Sequence, residues 1–248
     1  MFAIFKKELR SYFINAIGYV YVGVFLSAAA LMLCFNTLIA KSYDTSNYFS
    51  MLLLSFIILI PLLTMKLFAE EKKLKTEQLL LTAPVTVSGM VVGKFLAAYT
   101  MFAGSLLVSC INLFPLYSYA RVERAAQPYT EIHIGPNTAN IIGCLVGVLL
   151  IGAAFVAIGT FISSLTENQL AAAVMTVAVI LVMLLLEVVN QYIDAYAVRA
   201  VISWVCVLSR FSKFTTGILD FSAMLYYLSI TAVFLLLTVR VYDKRRWG

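Results

Sequence analysis

Apolar residues along this chain come in runs far longer than a soluble core helix needs, each closed by a short polar break. Six runs are legible: Ile17–Ile39, Tyr48–Phe68, Phe95–Tyr119, Ala139–Ser163, Gln169–Val189 and Ser222–Val239. About 20 apolar residues coil into a helix that crosses a hydrocarbon core of about 30 Å, so each run predicts a transmembrane helix. The runs are continuous and lack the period-2 alternation of barrel strands, which argues against a β-barrel. The expected fold class is an all-α membrane protein with six transmembrane helices.

The polar breaks predict the remaining elements. Residues 2–14 place Phe2, Phe5, Leu9, Tyr12 and Phe13 at helical spacing, with Lys6, Lys7, Glu8 and Arg10 between them. That pattern predicts an amphipathic interfacial helix over 1–16, its basic face toward headgroups or cytosol. The basic start imitates a secretory signal, but the first apolar run continues through Leu31–Ile39, too long for a cleaved segment. Near the other end, 190–221 holds the apolar stretch Val201–Leu208 between Arg199 and Arg210. It is too short to cross and predicts a re-entrant or surface-lying helix before the last span. Lys41–Asn47 and Leu165–Asn168 read as short turns, and Arg121–Asn137 as a longer loop without helix or strand pattern.

Composition agrees with a lipid solvent: 62% of residues are hydrophobic, 12% charged, and mean hydropathy is +0.96. The net charge of +6 does not mark nucleic acid, because the cations bracket the spans. With both termini inside, twelve Lys and Arg fall on the inner side and six on the outer (Lys41, Arg121, Arg124, Arg199, Arg210 and Lys213). That split favours both termini being cytosolic. The expected location is the bacterial cytoplasmic membrane, crossed several times.

Catalytic chemistry has little to stand on. No G-x-x-x-x-G-K-[ST] occurs, His133 is the single histidine, and the serines have no neighbouring base. Cys34, Cys110, Cys144 and Cys206 are dispersed, with no CxxC pair for a metal or disulfide framework. The ionisable candidates near predicted spans are Lys66 and Glu187, too few for a proton or ion path, and Pro61 and Pro115 are candidate kinks without charge beside them. Gly143-x-x-x-Gly147 points to close packing inside the bundle. Neither an enzyme nor an ion-coupled carrier is supported, so any energy comes from outside the chain.

One charged island, 69–94, joins the second and third spans on the inner side. Its pattern Phe68-Ala-Glu-Glu-x-x-x-x-Thr76-Glu77-x-Leu79-Leu80-Leu81-Thr82-x-Pro84, followed by Gly93-Lys94, resembles the first cytosolic loop of ABC-2 type transporter permeases. The resemblance is closest to the gliding-motility-associated and copper-enzyme-maturation branches. It extends over the whole chain, through Phe-Lys-Lys-Glu-Leu at residues 5–9, Phe211-x-x-Phe214-x-x-Gly217-x-x-Asp220, and the tail Tyr242-Asp-Lys-Arg-Arg-Trp247. One departure is Lys75, where the family usually has glycine.

The resemblance implies a coupling helix seated in a groove of a partner ATPase. Thr76 would cap it, Glu77 would favour its N-terminus, Leu79, Leu80 and Leu81 would form its apolar face, and Pro84 would end it. Glu70 and Glu71 would offer charge to the partner. ATP and Mg2+ would then belong to a cytosolic ABC ATPase dimer, with no cofactor in this chain. A second permease chain would complete the complex, as a homodimer or with an outer-domain membrane protein. Export of a substrate is the first expectation; a mechanical or scaffold role without transport is the second. An ATP-independent channel or carrier is the third.

Overall fold

A computed structural model describes residues 1–39, 43–78, 85–126, 135–190 and 206–247. Among them every regular element is a helix, and six helices are long and apolar enough to cross a membrane. In chain order the elements are α1 (Phe2–Ile14), α2 (Ala16–Leu33, extended by a π-helical turn Cys34–Ile39), α3 (Ser46–Thr64) and α4 (Ala69–Lys73). They continue with α5 (Val87–Ser109), α6 (Phe114–Ala126), α7 (Thr138–Leu165), α8 (Gln169–Asn190), α9 (Leu208–Thr215) and α10 (Phe221–Trp247).

The bundle has an inner and an outer ring. The spanning segments around α3, α5 and α7 are 56, 56 and 67% buried, whereas those of α2, α8 and α10 are only 22–24% buried. On α3 the buried positions Phe49, Leu52, Phe56, Leu59 and Leu63 recur every three or four residues, the spacing of one helical face. α7 achieves the deepest burial with small residues. A Cβ on Gly159 would lie 2.4 Å from Thr64 Oγ1, so glycine is what allows α3 and α7 to touch. Hydroxyls inside the bundle bond to their own helix: Thr64 to Ile60, Ser105 to Met101 and Thr160 to Ala157, at 3.0, 2.9 and 2.7 Å. These three hydroxyls are thereby satisfied without water.

Several expected boundaries move. The third span begins at Val87 instead of Phe95, with the Thr86 hydroxyl accepting from the Gly89 N–H at 3.2 Å as its N-cap. Residues 87–94 of the expected connecting loop are therefore helix. That span is also two helices, because a 3-10 turn at Cys110–Leu113 separates α5 from α6. Pro115 sits in the first turn of α6, where its missing N–H costs nothing. α6 runs on to Ala126, so the start of the expected loop Arg121–Asn137 is helical as well.

Both chain ends lie at one end of the bundle. A Cβ on Gly93 would meet the Met1 carbonyl at 3.1 Å, and the Arg246 guanidinium donates to the Val85 carbonyl at 3.2 Å. At the opposite end α9 packs on α7. The Phe214 carbonyl and the Phe211 ring lie where Cβ atoms on Gly143 and Gly147 would stand, at 2.6 and 2.9 Å. The Gly-x-x-x-Gly pair thus receives α9. Within the expected segment 190–221, residues 191–205 lie outside the described residues.

Candidate functional site

The charged island is folded against the terminus-bearing end of the bundle. α3 stops at Thr64, and the turn that follows is stitched to the end of α7. Ser163 Oγ accepts from the Phe68 and Ala69 N–H groups, both at 3.2 Å, and donates to the Met65 carbonyl at 3.3 Å. Lys72 Nζ donates to the Ser164 carbonyl. A helix C-terminus leaves its last carbonyls unpaired and carries partial negative charge, so a lysine there answers both needs.

Beside this seam lies a buried ionic cluster. Lys94, on α5, is only 1% exposed. Its ammonium pairs with Glu71 at 2.8 Å and Glu8 at 3.1 Å, and donates to the Leu67 carbonyl at 2.6 Å. An ammonium has three N–H groups, and three acceptors surround this one. The Phe68 ring, 5.0 Å from Nζ, closes the remaining side. Lys7 adds pairs to Glu71 at 3.3 Å and Glu8 at 3.7 Å, so two cations and two carboxylates alternate. Burial lowers the Lys7 pKa, but Glu71 and then Glu8 outweigh it and leave the value above the ordinary 10.5. Tyr12 donates to the Leu63 carbonyl at 2.8 Å, and burial pushes its phenol well above the usual value. A polar cavity of about 450 Å³ opens between α1 and α4, lined by Lys7, Glu8, Lys66, Glu70, Glu71 and Lys94 among others.

α4 ends in a doubly hydrogen-bonded cap. The Lys75 N–H donates to the Lys72 carbonyl and the Thr76 N–H to the Glu71 carbonyl, each at 3.0 Å. Lys75 itself is left-handed, with φ 56°. This cap commonly carries glycine at that position, because a Cβ is strained there. Lys75 therefore occupies a glycine-favouring backbone position and still closes the turn. The C-terminal helix completes the site: the Tyr242 ring packs 4.9 Å from Phe68, and Arg245 pairs with Glu77 at 3.2 Å.

Among the residues expected to couple to a partner, Glu71 and Glu77 are engaged within this chain. Glu70 is half-buried beside the cavity. Thr76 donates from its hydroxyl back to the Glu71 carbonyl at 3.3 Å, which fastens the turn to α4. Leu79, Leu80, Leu81 and Pro84 lie outside the described residues, as do His133 and Arg199. Glu187 falls in α8, and its side chain is outside the described set. Sequence reasoning missed Glu8, Lys94, Ser163 and Ser164 as site residues. For Lys94 a signal existed: a lone lysine inside an otherwise apolar helical pattern, Val91 to Ala98. No group of three or more His, Cys, Asp and Glu able to hold a metal occurs among the described residues. No protein-family model matches the chain, and no curated protein matches it.

Proposed function

We propose that this chain is the transmembrane permease subunit of an ABC-2 type complex, exporting a substrate with ATP hydrolysed by a separate cytosolic subunit. The observation that carries the reading is the way segment 68–77 is fastened to the spans. It is tied to α5 and α1 through Lys94, to α7 through Ser163 and Ser164, and to α10 through Arg245 and Tyr242. A push on this segment reaches four helices at once. The chain has no phosphate-binding loop of its own, which fits a device driven from outside. In this reading both termini and the island are cytosolic, in a bacterial plasma membrane, and a second permease chain and an ATPase pair complete the complex.

A mechanical role without transport is the second reading, and α7 favours it. The same helix holds the α4 seam at Ser163 and Ser164 and holds α9 at Gly143 and Gly147. From Gly143 to Ser164 it spans about 30 Å at 1.5 Å per residue. Movement of α4 would be delivered to α9 at the far end by one rigid element.

The test is co-expression with a candidate cytosolic ABC ATPase subunit, followed by purification and reconstitution. The expected result is a stable complex whose ATPase activity falls in Glu77→Lys while membrane insertion is unchanged. No association in any nucleotide state would refute the reading. Substrate flux in vesicles then separates export from the mechanical role.

A further inference from the structure

The charges at the terminus-bearing end are largely sorted by sign. Three of its carboxylates, Glu8, Glu71 and Glu77, keep only 13, 15 and 17% of their side chains exposed, and each is paired with a cation of this chain. Glu70 is half-buried against the cavity. The cations Lys6, Arg10, Lys73, Lys75 and Lys244 are exposed instead, and no ion pair forms at any of them among the described residues. Most of the anions are turned inward, Glu167 in the turn between α7 and α8 being exposed beside Lys72, and the face left outward carries more cations than anions.

Within that face one feature has shape. Lys73, Leu74 and Lys75 form the tip where α4 turns back, and Leu74 is 64% exposed between the two lysines. The tip is held by three backbone bonds, from Leu74 to Glu70, Lys75 to Lys72 and Thr76 to Glu71, all at 3.0 Å. Its base is clamped by Lys72 on Ser164 and Glu71 on Lys94. A projecting apolar side chain flanked by two cations on a fixed backbone is preorganised for a complementary pocket. Left-handed backbone at a lysine is strain that persists only where the surroundings enforce it, and such strain clusters at functional positions.

We propose that the tip Lys73–Leu74–Lys75 docks into an acidic-rimmed apolar pocket on the ATPase subunit, Leu74 filling the pocket and the two lysines meeting carboxylates on its rim. This rests on the permease reading above. It replaces the expectation that Glu70 and Glu71 carry charge to the partner, and it gives the partner's groove a chemistry: negative, with room for one leucine. A membrane surface is the weaker occupant. Interfacial binding needs a broad apolar face with cations beside it, and that composition sits on α1, where Phe2 and Phe13 are exposed near Lys6 and Arg10. The tip offers one leucine.

The full chain is reconstituted in phosphatidylcholine nanodiscs, which carry no anionic headgroup, and titrated with the purified ATPase subunit. Lys73→Glu with Lys75→Glu should weaken binding about tenfold at low salt, with the gap closing toward 1 M salt as charge is screened. Leu74→Ala should weaken it by a similar factor that salt does not remove. Zero-length carbodiimide cross-linking should join Lys73 or Lys75 to Asp or Glu of the subunit. Thermal unfolding checks that the variants are folded, and Lys73→Gln with Lys75→Gln, about threefold weaker, serves if the reversal unfolds. Wild-type binding with undiminished affinity in the folded charge variants overturns the docking proposal and leaves the permease reading standing. Binding that appears only with anionic lipid assigns the tip to the membrane and also overturns it. Absence of wild-type binding in every nucleotide state defeats the permease reading, and this proposal with it.

Discussion

Replacing Lys94 with methionine tests whether the buried ionic cluster holds the island to the bundle. At an effective dielectric of about 20, charges 2.8 and 3.1 Å apart attract by about 6 and about 5 kcal/mol before desolvation. Desolvation of a fully buried ammonium removes several kcal/mol of that, so the cluster's net contribution is far smaller. The cost of deleting one partner is a different quantity. Methionine keeps the volume, yet it leaves Glu71 and Glu8 facing each other and the Leu67 carbonyl without its donor. Losing one partner of a buried pair costs about 3–5 kcal/mol. Lys7, already near both carboxylates, recovers part of this, so we expect about 2–4 kcal/mol for Lys94→Met. The triple variant Lys94→Met, Glu8→Gln, Glu71→Gln should regain at least half, because the only cation left without its partners, Lys7, is 61% exposed and no uncompensated buried charge remains. Reversible denaturant unfolding in detergent micelles measures both. A loss below about 0.5 kcal/mol for Lys94→Met, or no recovery in the triple variant, would refute the reasoning.

Three further outcomes follow from the backbone. Lys75→Gly should stabilise the isolated chain by about 0.5–1 kcal/mol in the same unfolding assay, since removing a left-handed strain of about 1–2 kcal/mol outweighs the added freedom of the unfolded glycine. A loss of stability there would mean the lysine side chain itself holds the turn. Gly159→Ala should destabilise by about 1–3 kcal/mol, because its Cβ would stand 2.4 Å from Thr64 Oγ1. Gly104→Ala, on α5 with open space around it, should be neutral or gain up to about 1 kcal/mol; equal effects at the two positions would remove the close-packing account of α3 and α7.

The membrane-spanning architecture was legible because hydrophobic run length is a property of composition alone. Six runs predicted six spanning helices, and six helices long and apolar enough to span are found. What was not legible is where charge stops a helix. A lysine in an apolar pattern reads as an end, so the third span was expected at Phe95. Tertiary pairing with Glu8 and Glu71 makes Lys94 acceptable inside, and the helix extends back to the Thr86 cap. Glu8 lies 86 residues from Lys94, a pairing no local pattern announces. The same limit applies to Ser163, which looks like any span-end serine until the turn after α3 is laid against it. Gly143 and Gly147 were readable as a close-packing site, but their occupant, α9, followed only from the fold.

Lys75 shows how a departure from a pattern becomes informative. From sequence it is a missing glycine, hence a question about whether the turn forms. The structure forms the turn with both cap bonds at 3.0 Å, so the lysine is compatible with it and merely strained. A strained lysine is then a choice between two effects on one residue: backbone relief, which glycine would supply, and an outward cation, which only lysine or arginine supplies. The two act on different measurements. If Lys75→Gly raises the unfolding free energy and weakens ATPase-subunit binding in the same preparation, the side chain is serving the partner and the fold bears the strain. If it raises stability and leaves binding unchanged, the cation at this position does nothing for docking, and the proposed contact of the tip reduces to Lys73 and Leu74.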